Sequence, residues 1–162
     1  MYRLFQIGDK VVYPMHGAGV IEAIEEKEIL GERQLYYVLS MPLKNMQVMI
    51  PKAKTADLGL RQVVNSDILE NVLKKINHGD LEPVSNPMQR HRINMTKMKS
   101  GDIYEGAEVI RDLMFLEKSK KLATGDKVML DNARQILISE VVLVKGIAEE
   151  QAELLLNQVI NA

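Results

Sequence analysis

The 162-residue chain is 46% apolar and 27% charged, which allows one large core or two small ones beneath a well-hydrated surface. It has no cysteine and no tryptophan and is only 4% aromatic, so disulfides and thiolate metal sites are excluded and any core is built from Leu, Ile, Val and Met. The net charge of -1 supplies no overall cationic field for nucleic acid, and no apolar stretch approaches the roughly 20 residues of a membrane span.

Residues 1–9 reach an acid without a long apolar run, unlike a signal peptide, so the expected location is the cytoplasm. The first 60 or so residues then read as β-structure. Residues 10–13 form a short strand stopped by Pro14, and His16-Gly17-Ala18-Gly19 reads as a turn because two glycines permit positive φ. Residues 20–25 make a second strand with imperfect alternation, Leu30-Gly31-Glu32 signals a turn, and residues 34–39 are rich in strand formers. Residues 46–50 alternate cleanly and stop at Pro51. Short strands with tight turns predict a small SH3-like or Tudor-like barrel.

The period then becomes helical. Ser66 and Asp67 open a segment whose Ile68, Leu69, Val72, Leu73 and Ile76 recur at three- and four-residue steps, ending at His78-Gly79. Residues 81–87, with two prolines, read as an elbow. A helix from about Met88 to Lys99 stops at Ser100-Gly101; Asp102 with Glu105 resembles a capping box opening the next. Thr124 with Asp126 opens a fourth helix, with Met129, Ala133, Ile136, Leu137, Val141 and Val144 as its buried stripe, and Gly146 breaks it. A fifth carries Ala152, Leu155, Leu156, Val159 and Ile160. The predicted fold class is therefore α+β in two domains, a small β-barrel over residues 1–62 and a compact domain of about five helices over 66–162.

Catalytic chemistry finds little foothold. His16, His78 and His91 lie in different elements and form no pair at metal spacing, and Gly17-Ala18-Gly19 sits between strands, where a dinucleotide turn would not be. No catalytic residue, metal site or cofactor is expected; only the His16 turn speaks for an enzyme. The charge distribution says more. No acid falls between Glu82 and Asp102, whereas Arg90, Arg92, Lys97 and Lys99 do, and Lys118, Lys120, Lys121 and Lys127 extend the basic run. Met88, His91, Met95 and Met98 form a stripe with these cations on both edges, a pattern that suits a core face as well as a cationic one. A solvated face ordinarily mixes both signs. An acid-free one attracts phosphates by counterion release, without sequence preference.

Residues 5–19, Phe-Gln-Ile-Gly-Asp-Lys-Val-Val-Tyr-Pro-Met-His-Gly-Ala-Gly, resemble the opening of the CarD-like (CdnL-like) bacterial transcription regulators. That opening is also similar to the polymerase-binding module of the transcription-repair coupling translocase. Ser100-Gly101-Asp102, Glu108-Val109-Ile110-Arg111-Asp112-Leu113, and Ala133-Arg134-Gln135-Ile136-Leu137 with Glu140 resemble the family's helical domain. The resemblance implies a Tudor-like domain that binds the RNA polymerase β subunit and a helical domain that touches promoter DNA at the upstream edge of the bubble, modulating open-complex stability.

On that resemblance Lys27, Gln47 and Met49 are the candidate polymerase contacts; Lys27 and Met49 stand where the family often has arginines, and Lys27 lacks the bidentate fork. Arg90, Arg92 and Lys127 are the candidate DNA-backbone contacts, so a salt slope on the order of -3 is expected, while Gln89 replaces a common basic residue. Many members insert a Trp after an Asn; here Asn86 precedes Pro87, leaving Pro87 or Met88 as an apolar wedge. The expectation is a non-enzymatic, monomeric regulator, cytoplasmic and carried to the nucleoid by polymerase, with weak, non-sequence-specific DNA contact. The competing expectation is a polymerase-binding adaptor with no productive DNA contact.

Overall fold

The computed structural model describes residues 4–77 and 86–161. The fold is mixed α+β: a five-stranded antiparallel sheet of the Tudor/SH3-like kind, followed by five helices among the described residues. The strands are β1 (Lys10–Tyr13), β2 (Gly17–Ile29), β3 (Glu32–Met41), β4 (Met46–Pro51) and β5 (Arg61–Gln62), in spatial order β4-β3-β2-β1-β5. Leu30 and Gly31, both at positive φ (53° and 81°), make the two-residue turn between β2 and β3, the geometry that matches strand twist. Phe5 closes the sheet core over Val11, Ile21, Tyr37, Leu39, Met41, Ile50 and Leu60. The Tyr37 hydroxyl satisfies Phe5 twice, donating to its carbonyl and accepting from its N–H at 3.0 Å each.

The glycines after Pro14 act differently from the sequence expectation. The turn is over by His16, and Gly17 to Gly19 already pair with β1 as strand. A Cβ at Gly19 would lie 2.5 Å from the Ser40 carbonyl oxygen, so glycine is there for close packing of β2 on β3. The imperfect alternation of residues 20–25 also has a cause: the β2–β3 register slips between Ile21 and Ala23. Glu22 is the extra residue of a bulge, and beyond it every side chain changes face. Ile24 thereby joins Ile21 on the core side, and Lys27 turns to the outer face.

The helices are α1 (Ser66–Lys75), α2 (Pro87–Ser100), α3 (Ile103–Ser119), α4 (Thr124–Lys145) and α5 (Glu149–Ile160). Asn65, not Ser66, caps α1, accepting from the Ile68 N–H at 2.9 Å; His78 and residues 79–85 of the expected elbow lie outside the described residues. Asn86 caps α2, with Pro87 at the first helical position, one residue earlier than the sequence suggested. Asp102 caps α3 as expected, accepting from the Tyr104 and Glu105 N–H groups. At α4 the first non-helical position is Ala123, which supplies no side-chain cap; Thr124 is already helical, and Asp126 is drawn inward to Arg90. The helical core is a second cluster built on Leu69, Val72, Ile110, Leu113, Ile138 and Leu156.

Strand pairing ends at Gln62 and helix begins at Ser66, so Val63, Val64 and Asn65 alone connect sheet to helices. Helix α4 packs across one end of the sheet. Its Glu140, only 1% exposed, takes two 2.8 Å hydrogen bonds from the Arg61 guanidinium and a third from the Val64 N–H at 2.9 Å. Ser139 accepts from the Ala18 N–H, Lys10 donates to the Leu143 carbonyl, and Arg61 Nε donates to the Gly101 carbonyl. Gly101 combines φ 72° with a Cβ position 2.7 Å from the Pro14 ring. Gly101→Ala is therefore expected to cost about 2 kcal/mol, from left-handed strain plus displaced packing. Urea unfolding checks this, and a loss near zero would mean that Pro14 and Gly101 do not meet as closely as seen.

Candidate functional site

Two surfaces collect the residues singled out by sequence. On the sheet, Lys27 faces the same side as Met49 and Gln47, because Lys27 pairs with Gln34, Val38 with Met49 and Ser40 with Gln47. All three are exposed, on the half of the outer face that α4 leaves uncovered. Lys27 pairs loosely with Glu25 at 3.7 Å, and Gln47 donates to Glu22, the bulge residue. Strand β4 is at the edge of the sheet, so its outward backbone groups have no strand beside them among the described residues. Met46 and Met49 are partly exposed on it, giving a polarizable, adaptable lining to an open edge.

On the helices, Pro87, Met88, His91, Arg92, Met95 and Lys99 from α2 face the first turn of α4 across an open groove. Arg92 and Lys99 are exposed, with no acidic partner among the described residues. Lys127, the residue after Asp126, is exposed beside the opposite wall and does not line the groove itself. The uncapped α4 N-terminus adds backbone N–H groups at the same place. Lys118, Lys120 and Lys121 are exposed on the segment leading into it.

Arg90 does not stand on this surface, contrary to the sequence expectation. It is 5% exposed and directs Nη2 (2.7 Å) and Nε (3.2 Å) onto one carboxylate oxygen of Asp126, itself 4% exposed. A guanidinium so enclosed is a strut between α2 and α4 and has no face to offer a phosphate. Lys97, from the same acid-free window, is ion-paired with Glu108 of α3 at 2.9 Å. The methionine stripe also divides: Met98 is core, Met95 is half-buried, and Met88 is 78% exposed with Pro87 beside it. The buried side of α2 is instead Arg90, Asn94 and Met98.

Of the three histidines, His78 lies outside the described residues, and His91 lines the α2–α4 groove. His16 is exposed and rests its ring against Tyr13, centroids 4.3 Å apart; partial burial, with Lys44 nearby, holds its pKa below the usual imidazole range. Asp112 is pushed above the usual carboxylate range by burial, against the pull of Arg111 and Lys97. No group of three metal-ligating side chains occurs among the described residues, and no helix there is long and apolar enough to cross a membrane.

Two charged residues that organise the molecule escaped sequence reading, Asp126 as a strut and Glu140 as a clamp. Glu140 had a signal, since it falls on the same helical face as Ala133, Ile136, Leu137 and Val144, an acid within a buried stripe.

Comparison with known proteins settles what kind of chain this is. The CarD C-terminal domain model matches residues 71–157, and the CarD-like/TRCF RID domain model matches residues 5–64. The chain belongs to the CarD family. It is 51% identical over 148 residues to "Putative transcription factor YdeB" of Bacillus subtilis (strain 168), covering 91% of this chain and 97% of that one. A solution structure of the 72-residue N-terminal domain of Myxococcus xanthus CarD matches 36% of this chain and 77% of its own, at 31% identity and a TM-score of 0.32. The family is one of transcription factors, and this CarD-family chain carries both of its domains.

Proposed function

We propose that this chain regulates transcription by docking its sheet on the β subunit of RNA polymerase and laying the α2–α4 groove against promoter DNA near the upstream edge of the bubble. It acts as a monomer, in the cytoplasm, reaching the nucleoid through polymerase. What carries the reading is the cationic groove: Arg92 and Lys99 line it, Lys127 is exposed beside it, and all three stay unneutralised among the described residues while the neighbouring Arg90 and Lys97 are paired internally. Such a surface binds backbone phosphates and leaves base identity unread. Alone it is weak. Held beside the promoter by a docked sheet, it acts at high local concentration. Met88 and Pro87, at the exposed lip of the groove, supply the apolar wedge in place of a tryptophan.

On the polymerase side, the β4 edge suits addition of a partner strand, with Lys27, Gln47 and Met49 reading its side chains. A pull-down with RNA polymerase tests this. Met49→Asp is expected to weaken capture by about ten-fold or more, since it places an unpaired charge in a desolvated contact, while Arg92→Glu leaves capture intact. Undiminished capture by Met49→Asp would remove the β4 face from the contact.

A second reading keeps the polymerase contact and drops the DNA. It is favoured by the neutralisation of Arg90 and Lys97 and by the absence of tryptophan. Salt-dependent DNA binding by the full chain separates the two.

A further inference from the structure

We propose that Glu140 is a positioning residue that locks the sheet and the helical domain into one body, so that the polymerase-facing and DNA-facing surfaces are presented at a fixed spacing; the functional half of this rests on the reading above. Glu140 draws its hydrogen-bond partners from outside the helices. It belongs to α4, and it is buried to 1% exposure on the face that carries the helical core. Yet none of its three hydrogen-bond donors is helical: two are Arg61 N–H groups of β5, and the third is the Val64 N–H of the connector.

A buried carboxylate with no partner from its own domain is intelligible only in the docked arrangement. Undocking would leave a charge on an apolar helix face, so the ion pair opposes separation in a way an apolar contact of equal area would not. The bonds are also directional. A bidentate guanidinium–carboxylate pair fixes an angle as well as a distance, and Arg61 is itself aimed by its bond to the Gly101 carbonyl at 2.7 Å. Ser139 and Leu143, on the same side of α4, add the contacts to Ala18 and Lys10. Domains joined by a short connector ordinarily keep relative motion unless their interface prevents it. Here the connector is held too, with Val63 donating to the Lys10 carbonyl and Val64 to Glu140.

The consequence for regulation is mechanical. A weak phosphate contact gains from tethering only if the tether points it at the phosphate. Loss of the clamp should leave each surface able to bind and remove the benefit of holding both.

The chain has no cysteine, so spin labels can be placed singly on each domain of the full-length protein, at Asp57→Cys and Glu153→Cys, both exposed. The inter-label distance distribution is expected to be narrow in the parent and broad in Glu140→Ala, with Glu140→Gln in between, because its amide oxygen can still accept from Val64 and Arg61 Nη1 while its NH2 faces the Arg61 Nη2 donor. In parallel, polymerase capture and binding of free DNA should stay within about two-fold of the parent, whereas the effect on open-complex lifetime should fall by about ten-fold. A narrow distribution in Glu140→Ala overturns the lock. A broad distribution with an undiminished lifetime effect overturns its functional role. If the parent itself has no effect on lifetime, the polymerase-and-DNA reading fails, and the distance distributions still decide whether Glu140 fixes the domains. Should Glu140→Ala not fold, as judged by circular dichroism, Arg61→Met makes the same test from the sheet side without altering the helical core.

Discussion

Asp126→Ala is expected to destabilise the chain by about 3 kcal/mol, because it removes the carboxylate that takes two bonds from the enclosed Arg90 guanidinium between α2 and α4. Both partners are almost fully enclosed, and one Asp126 oxygen accepts from both Nε and Nη2 of Arg90. The cost lies in a buried cation losing its carboxylate more than in the bonds themselves. Replacing both residues, as in Arg90→Leu with Asp126→Leu, should therefore recover most of the loss, since well-packed apolar pairs often match or exceed a buried ion pair. Urea unfolding measures both variants. Equal and small losses, under about 1 kcal/mol, would show that water reaches the pair and that it behaves as a surface salt bridge. The effect bears on function because α2 and α4 are the two walls of the cationic groove. A variant that loosens this strut should lose DNA affinity even though neither residue contacts DNA.

Reversing two charges at the groove, Arg92→Glu with Lys127→Glu, is expected to weaken DNA binding by about a hundred-fold. Each position loses a charge-assisted contact, and about 1.4 kcal/mol is ten-fold in affinity. With Arg90 withdrawn into the interior, two named phosphate contacts remain from the original three. With the exposed Lys99 counted beside them, the parent's log K against log salt should fall with a slope on the order of -3, and the double variant's slope should shrink to about -1. Weakening should be alike on unrelated sequences, because backbone contacts carry no base information. Open-complex lifetime on a promoter with intact polymerase should lose the chain's contribution in the same variant. If affinity, slope and lifetime are all unchanged, the chain is a polymerase-binding adaptor and the groove has another use.

Much of this molecule was legible before its structure. The strand period gives way to a helical one after residue 62, where β5 ends at Gln62 and α1 begins at Ser66. The pair Leu30-Gly31 specified a two-residue hairpin turn, Asp102 capped its helix, and Gly101 and Gly146 ended theirs at positive φ. These features are local: each is decided by residues within one turn of chain, and their chemistry can be read from spacing. The motif residues of the CarD family are linear in the same sense.

What the tertiary structure alone decided is which charges are free. The window from Pro83 to Gly101 holds four cations and no acid, and it reads as a uniformly basic face. Folding brings Asp126 to Arg90 across 36 positions and Glu108 to Lys97 from the next helix, leaving Arg92 and Lys99 exposed. Helical period says which face of α2 turns inward; it cannot say which distant acid will meet the cation there. Likewise Lys27 lies on the face opposite Ile21, with Met49, because Glu22 is a bulge within β2, and a bulge is a property of two paired strands. Glu140 finds its donors 76 and 79 positions away. A charge within an apolar stripe announced in the sequence that something must neutralise it, and only the docking of β5 on α4 showed what.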